Sequence, residues 1–491
     1  MYLRAGVFSL GLLLVSRLLG LLRESAQAAA FGATGLGDAV IVMFTLPDLL
    51  VGILFSGALA YVLLPEWARQ TPAQQDASQK KVAQALIGIG LGLAVLIWLL
   101  RDVLSHALAP GLRDDMALLG RDSLGWSAAV LPLAMLAALW VTRLQHERDF
   151  IGMYSANLVV NLLLVLALFL VPQNSANRAV FILGCFLMAA MVARLAWLAW
   201  RLPKAASGPV ATGRVLPVAG IWIWAGLSSG LLLLLPLLGR SLASRAGEGA
   251  LADFNYAWKL VELPLVLAIQ LVASLAFPAI TRTETGSAER DRALQIAFLL
   301  AWALACAAIA VVGSFSLPLA QLLFGWGRMD SEHLEVIARW GAIGIWSLLP
   351  QALIAVLLTA MAASDHMHRA VWAYAAGLAM LAGAAWAGLV GGAPVMGALN
   401  AILAGITLAM LFTEREQIHR ALPWRAMLAP LGACLLLVGA SRWFGHWGLL
   451  PSALVAGLFA VVVLGSALLA SPLLRSFVVR QPLAVPQAGG Q

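Results

Sequence analysis

Over 491 residues the chain is 62% hydrophobic and only 11% charged, with a mean hydropathy of +0.92. That charged fraction is less than half the share in a soluble domain, which excludes a soluble enzyme or binding module and leaves a polytopic membrane protein. The formal net charge of +8 does not point to nucleic acid: no basic run of five or more occurs, and Lys and Arg lie mostly singly between apolar segments, where topology determinants sit.

Read for runs of about 17 to 25 apolar residues, the length a bilayer core requires, the chain yields fourteen predicted helices. They lie at about 7–22, 38–64, 82–100, 124–141, 155–171, 179–198, 218–238, 254–277, 294–312, 340–361, 371–390, 395–412, 427–444 and 452–474. The first mimics a signal peptide, with Arg4 ahead of it and Ala26-Gln27-Ala28 as a small-residue site. Arg17 and Arg23 interrupt the run before that site, so it reads as an uncleaved first helix. With the N-terminus inside, inner loops carry 19 Lys and Arg against 10 outside, which places both ends in the cytoplasm. Arg194 and Arg442 are counted with the loops they adjoin, whereas Arg17 and Lys259 sit deeper within helices.

The longest inner linker, 203–217, is rich in Pro, Gly and Ala and separates an N-terminal lobe (1–202, helices 1–6) from a C-terminal lobe (218–412, helices 7–12). Helices 13–14 (427–474) and a cytoplasmic tail (475–491) follow. A weak internal repeat matches this division. A Gly-rich loop leads to Asp38, then Leu46-Pro47, then Pro65 with Arg69 four residues on; Gly247 and Gly249 lead to Asp253, then Leu263-Pro264, then Pro278 with Arg282 four residues on. Paired Pro-interrupted helices in two halves are the pattern of transporters that bind at a repeat interface. The alternative is that Pro47 and Pro264 are tolerated kinks. Cys185, Cys306 and Cys434 fall in apolar segments without metal-type spacing, so all three read as small core residues and no disulfide is expected.

The chemistry concentrates between Ser16 and Pro65, where Arg17, Arg23, Glu24, Asp38 and Asp48 lie in or beside two apolar helices. An Arg or Asp at mid-helix costs roughly 2.5 to 3.5 kcal/mol, so such residues face a protein interior or a water-filled cavity and mark a pathway. Arg17 and Arg23 are six residues apart, about 240° around a helix, and do not share a face. Arg23 could instead snorkel to the outer interface. Lys259 and Glu262, spaced i, i+3, could pair with each other. Arg17 could be held structurally by Asp38 or Glu24. Gly226-Leu227-Ser228-Ser229-Gly230 satisfies G-x-S-x-G, but that nucleophile motif needs a strand-to-helix elbow and this one lies in an apolar helix. It reads as a small-residue packing site. No intramembrane Ser-His pair and no H-E-x-x-H occurs, so an enzyme is disfavoured.

The segment SRLLGLLRES, then FGATGLGDA, then LPDLL, Gly57 and Pro65, with FNYAWKLVELP in the second half, resembles the MurJ/MviN family, the lipid II flippases of the multidrug/oligosaccharidyl-lipid/polysaccharide exporter superfamily. The resemblance implies an all-α fold of two six-helix lobes around a cationic cavity, with helices 13 and 14 forming a groove for a polyprenyl tail. It implies transport of a polyprenyl-pyrophosphate-linked glycan from inner to outer leaflet of the bacterial cytoplasmic (inner) membrane, in peptidoglycan biosynthesis. It also implies membrane lipids and cell-wall synthesis proteins as partners, with no catalytic residue, no cofactor, no metal and no nucleic acid. By position, Arg17 and Arg23 match cavity arginines, Asp38 the family's acidic residue at the start of helix 2 and Lys259 an arginine of helix 8; Glu262 is expected to bind substrate with them, and Pro47 and Pro264 to act as hinges or kinks. Departures are specific. Val51 and Gly52 stand where the family carries two arginines, Phe55-Ser56-Gly57 where it carries Ala-Glu-Gly, and Lys259 replaces an arginine, losing the planar fork suited to pyrophosphate. Helices 7 and 11 have no carboxylate for a sodium cage. A flippase for another polyprenyl-linked glycan is therefore the alternative. An exporter of hydrophobic cations fits less well, because the buried charges are mostly positive.

The charge imbalance makes the topology testable. A reporter fused after Arg214 should be cytoplasmic and one after Arg113 periplasmic; reversed or mixed signals would end the fourteen-helix reading.

Overall fold

The computed structural model describes residues 2–54, 58–172, 175–204, 219–269, 287–364, 366–443 and 448–480, with positions 272, 276, 280 and 283. Most of the linker, from Ala205 on, together with Gly57, Pro278 and Arg282, falls outside the described residues. Every described element is a helix, and no strand occurs among the described residues. In chain order the first ten are α1 (Tyr2–Phe31), α2 (Gly35–Ile53), α3 (Leu59–Trp67), α4 (Pro72–Leu99), α5 (Arg101–Leu108), α6 (Asp114–His146), α7 (Phe150–Leu170), α8 (Ala176–Arg201), α9 (Ala219–Ser244) and α10 (Ala250–Pro264). Then follow α11 (Ala288–Phe324), α12 (Ser331–Gly344), α13 (Leu348–Ala363), α14 (Met367–Trp386), α15 (Gly392–Thr413), α16 (Arg415–Ile418), α17 (Trp424–Ser441), α18 (Leu449–Ala470) and α19 (Pro472–Arg480). Ten stretches among the described residues are long and apolar enough to cross a membrane, eleven if Gly220–Ser228 and Gly230–Ser244, bent by 41°, form one span. Helix α1 spans the predicted segment 7–22, α10 the first part of 254–277 and α14 most of 371–390.

The chain divides into two compact units. The first comprises Met1–Tyr256, Leu323–Ile337 and Leu378–Val395. Its spine is α6, which packs on α2, α4 and α8, while α1 lies along α7 and α7 along α8. Lipid offers helices no hydrophobic reward for association, so close fit must hold them. Val130 and Ala134 of α6 accordingly meet Ala39, Val40 and Met43 of α2, with Leu164 and Ala167 of α7 and Leu183 and Leu187 of α8 completing one core. Polar ties close the ends that the loop charges place inside. Arg143, 2% exposed, pairs with Asp76 at 3.4 Å and Glu147 at 3.1 Å and lies over the Trp67 ring. Arg201 grips Asp149 with two bonds of 2.8 and 2.7 Å, the planar fork matched to a carboxylate.

The second unit comprises Ala257–Leu322, Ala338–Gly377 and Met396–Gln491. Within it Pro264 ends the regular part of α10 and a π-helical turn, Leu265–Ile269, follows. Helices α17 and α18 pair with each other and anchor on α11 through the Leu299–Met427–Ala467 cluster and a Trp302 indole N–H donated to the Met427 carbonyl at 3.0 Å. Glu414, buried at the end of α15, accepts from Arg369 at 2.8 Å and contacts His366 at 3.1 Å. Cys306 and Cys434 are buried, but Cys185 is exposed on α8, correcting the expectation of three core cysteines. Its position in an apolar helix did not reveal which face it occupies.

At the opposite ends of the first unit's helices, one carboxylate organises the packing. Thr34 caps α2, accepting from the Gly37 amide, and Asp38 in the next turn is 0% exposed. The Gly249 and Ala252 amides each donate 2.8 Å bonds to its two oxygens. These are unsatisfied donors at the start of α10, where a negative charge is also favoured by the helix dipole. Gly249 has φ +83°, and a Cβ there would collide with the Ala33 carbonyl, so only glycine permits this approach. Asp38→Ala strands two buried amides and should cost about 1.5–3 kcal/mol per lost charge-assisted bond, read as a lower Tm in detergent. Asp38→Asn, which keeps one acceptor oxygen, should lose less. An unchanged Tm for Asp38→Ala would overturn the capping role.

Candidate functional site

The first unit gathers charge around α1. Arg23 donates to Glu24 Oε1 at 2.8 Å and lies 3.6 Å from Asp48 Oδ2 on α2. Its guanidinium stands 5.4 Å from the centre of the Phe44 ring, a cation–π contact strengthened by loss of water. Asn255 on α10 donates to the other Glu24 oxygen at 3.1 Å. The Arg23 and Glu24 side chains are 13% and 9% exposed, whereas Asp48 is 60% exposed. Two of these charges are thus buried in protein while the third is exposed. The snorkelling alternative for Arg23 fails on this geometry: the side chain turns into the protein and finds carboxylates there.

A second arginine lies within electrostatic range of Asp48. Arg194 is 5% exposed and interacts electrostatically with Asp48, and its Nε has no hydrogen-bond partner among the described residues. In sequence it was assigned to a segment end, but α8 runs on to Arg201 and buries it two turns inside. The missed signal was its spacing: a lone Arg seven residues ahead of a second Arg that already serves the helix end. Gly52, one turn beyond Asp48, packs on α9, since a Cβ there would come within 2.9 Å of Leu233.

The other predicted residues fall into distinct settings. Arg17 is exposed, and the group it acts on electrostatically is Tyr154 of α7. Neither Asp38 nor Glu24 holds it: the carboxylate of Asp38 is taken by two amides and that of Glu24 by Arg23 and Asn255. Asp38, matched by position to a substrate contact, is fully buried, and both its oxygens accept from the amides at the start of α10. Its counterpart in the repeat, Asp253, is 4% exposed and meets His333 Nδ1 at 2.9 Å. Pro47 lies inside α2 and Pro264 closes α10. In the second unit Lys259 Nζ donates to Glu262 Oε2 at 2.8 Å, the pairing their spacing allowed. Gly226 to Gly230 lies within helix α9, with no strand leading into it. No cluster of metal-ligating side chains occurs among the described residues.

A family profile described as "Lipid II flippase MurJ" matches residues 27–464. A "Probable lipid II flippase MurJ" of Rhizobium meliloti (strain 1021) is 26% identical over 353 residues, 68% of this chain and 65% of that protein. A "Lipid II flippase MurJ" of Burkholderia cenocepacia is 27% identical over 353 residues, 67% of each. The chain thus spans about two thirds of the length of these relatives. Among solved structures, a lipid II flippase MurJ in an inward closed conformation superposes with a TM-score of 0.80 at 14% identity, covering 96% of this chain and 100% of that one. An inward-facing multidrug resistance MATE transporter of the MOP superfamily gives 0.64 at 14% identity, covering 88% and 96%. The likeness in fold extends to both structures, and the profile spanning most of the sequence decides the family: this multi-pass protein of the bacterial inner membrane belongs to the MurJ lipid II flippase family.

Proposed function

We propose that this chain carries lipid II from the inner to the outer leaflet by alternating access, as a transporter without catalytic residues, with all fourteen apolar segments crossing the membrane and both termini inside. The observation that carries the reading is the Arg23–Glu24–Asp48–Arg194 cluster, set in helices that are otherwise apolar. A pyrophosphate headgroup is multiply anionic and needs fixed cations to leave water. Asp48 lies against Arg23 while the cavity is unloaded, and a pyrophosphate competes with it for that arginine and takes up the charge of the nearby buried Arg194. Exposed Arg17 is the cation the headgroup meets first. Lys259, paired to Glu262, is a second cationic position contributed by α10. Helices α17 and α18 expose Leu436, Leu454, Leu458 and Val461, apolar surface suited to a polyprenyl tail. The lobes remain 1–202 and 218–412, and cell-wall synthesis proteins are the expected partners.

A second reading, transport of another polyprenyl-linked glycan, is favoured by the placement of charge. With Val51 and Gly52 on α2 carrying no cation and a buried Arg194 on α8, the headgroup is approached from a different wall, where sugar recognition can change with it.

Both readings make Arg17 and Arg194 anion ligands. Arg17→Ala and Arg194→Gln should leave the protein abundant in the membrane and lower flipping at least about tenfold each, the worth of a charge-assisted hydrogen bond. Arg17→Lys should retain part of the activity, because charge survives without the bidentate fork. Flipping of fluorescent lipid II in vesicles, set against membrane abundance, reads the result. Abundant and fully active variants would remove the anion-binding role, and a scarce Arg194→Gln protein would reassign that residue to structure.

A further inference from the structure

A cavity of about 490 Å³ opens in the first unit between the C-terminal ends of α1 and α7. Its volume lies within the roughly 300–1,000 Å³ of small-molecule sites. On α1 a stretch of small residues, Ser25, Ala26, Ala29 and Ala30, lines it between Leu22 and Phe31, while Leu168, Phe169, Val171 and Pro172 face it from the end of α7. Small residues on a membrane helix ordinarily let a neighbouring helix close in. Here α1 and α7 pack along their length, yet the space beside the alanines is left to something other than protein. The lining is apolar apart from Ser25 and Arg328, so it offers too few partners to hold water and suits a hydrocarbon chain.

The rim is built differently. The Arg328 amide donates to the Ala29 carbonyl at 2.9 Å. Gly327 precedes it at φ +63°, and a Cβ on Gly327 would collide with that same carbonyl. The turn is therefore fastened to α1 through backbone that only glycine can supply, and it sets Arg328 over the mouth of the cavity. Trp326 on the same turn lines the cavity and is 58% exposed, the placement of an aromatic side chain at a membrane–water interface. Arg328 is exposed, and the nearby Asp330 carboxylate is occupied in capping α12 through the His333 amide at 2.9 Å. Loop charge assigns these helix ends to the outer face.

We propose that this cavity binds an anionic glycerophospholipid, with an acyl chain against the α1 alanines and the phosphate on the Arg328 guanidinium. An apolar slot ending in a fixed cation at interfacial depth is complementary to that amphiphile. The proposal rests on the geometry of the first unit and is independent of the flipping reading.

Native mass spectrometry of the full chain in detergent, titrated with phosphatidylglycerol or phosphatidylcholine of identical acyl chains, tests it. The wild type should retain phosphatidylglycerol preferentially. Arg328→Gln should cut that preference at least about tenfold, and Arg328→Lys should restore part of it. Ser25→Leu and Ala30→Phe, which fill the cavity, should reduce binding of both lipids. Melting temperatures without added lipid show which variants are folded; the exposed Arg328 pair decides the matter if a filling variant is not. Equal retention of the two lipids by the wild type, or an undiminished preference in Arg328→Gln, would overturn the site. Displacement of phosphatidylglycerol by sub-stoichiometric polyprenyl phosphate would overturn the assigned occupant.

Discussion

An ionised group at lipid depth must find its counter-charge or its hydrogen bonds inside the protein, and the first unit is arranged around that requirement. Glu24 is satisfied from two directions, by Arg23 on its own helix and by Asn255 on α10. Asp38 is satisfied by two amides that no helix can satisfy for itself. Each solution ties α1 or α2 to a helix far away in sequence, so the polar groups supply the specificity that apolar packing in lipid does not. Breaking either tie leaves a charge that neither water nor hydrocarbon can take up cheaply.

The two kinds of partner have different consequences. A side-chain ion pair can be opened by a ligand that replaces one partner, which is what the exposed Asp48 allows at Arg23. A carboxylate held by main-chain amides in a buried pocket can release them only if the helix ends separate. The residues around Asp48 are therefore suited to recognition, and those around Asp38 to holding a conformation. Their closeness in sequence, ten residues apart on one helix, conceals this division of labour.

Much of the helical array was legible because apolar run length is a direct consequence of bilayer thickness. Helix ends are less so: α8 runs past the predicted boundary to Arg201, and that extension turned Arg194 from a loop cation into a buried one. The pairing of Lys259 with Glu262 was legible because i, i+3 spacing is local. The capping role of Asp38 was not, since its partners are backbone amides more than 200 residues away, as the 211-residue separation from Gly249 records, and backbone donors leave no mark in a residue pattern. Cys185 shows the same limit: in a helix apolar all round, periodicity does not distinguish the face toward lipid from the face toward protein.

Recognition of α10 by Asp38 through its main chain shifts the evolutionary burden in an asymmetric way. Any residue but proline presents an amide at position 252, so drift there leaves the carboxylate satisfied provided the side chain fits. Position 249 has no such latitude, because its left-handed backbone and the adjacent Ala33 carbonyl admit only hydrogen beyond the Cα. Among descendants of this chain, glycine at 249 and aspartate at 38 should be inherited together, while the residue at 252 wanders.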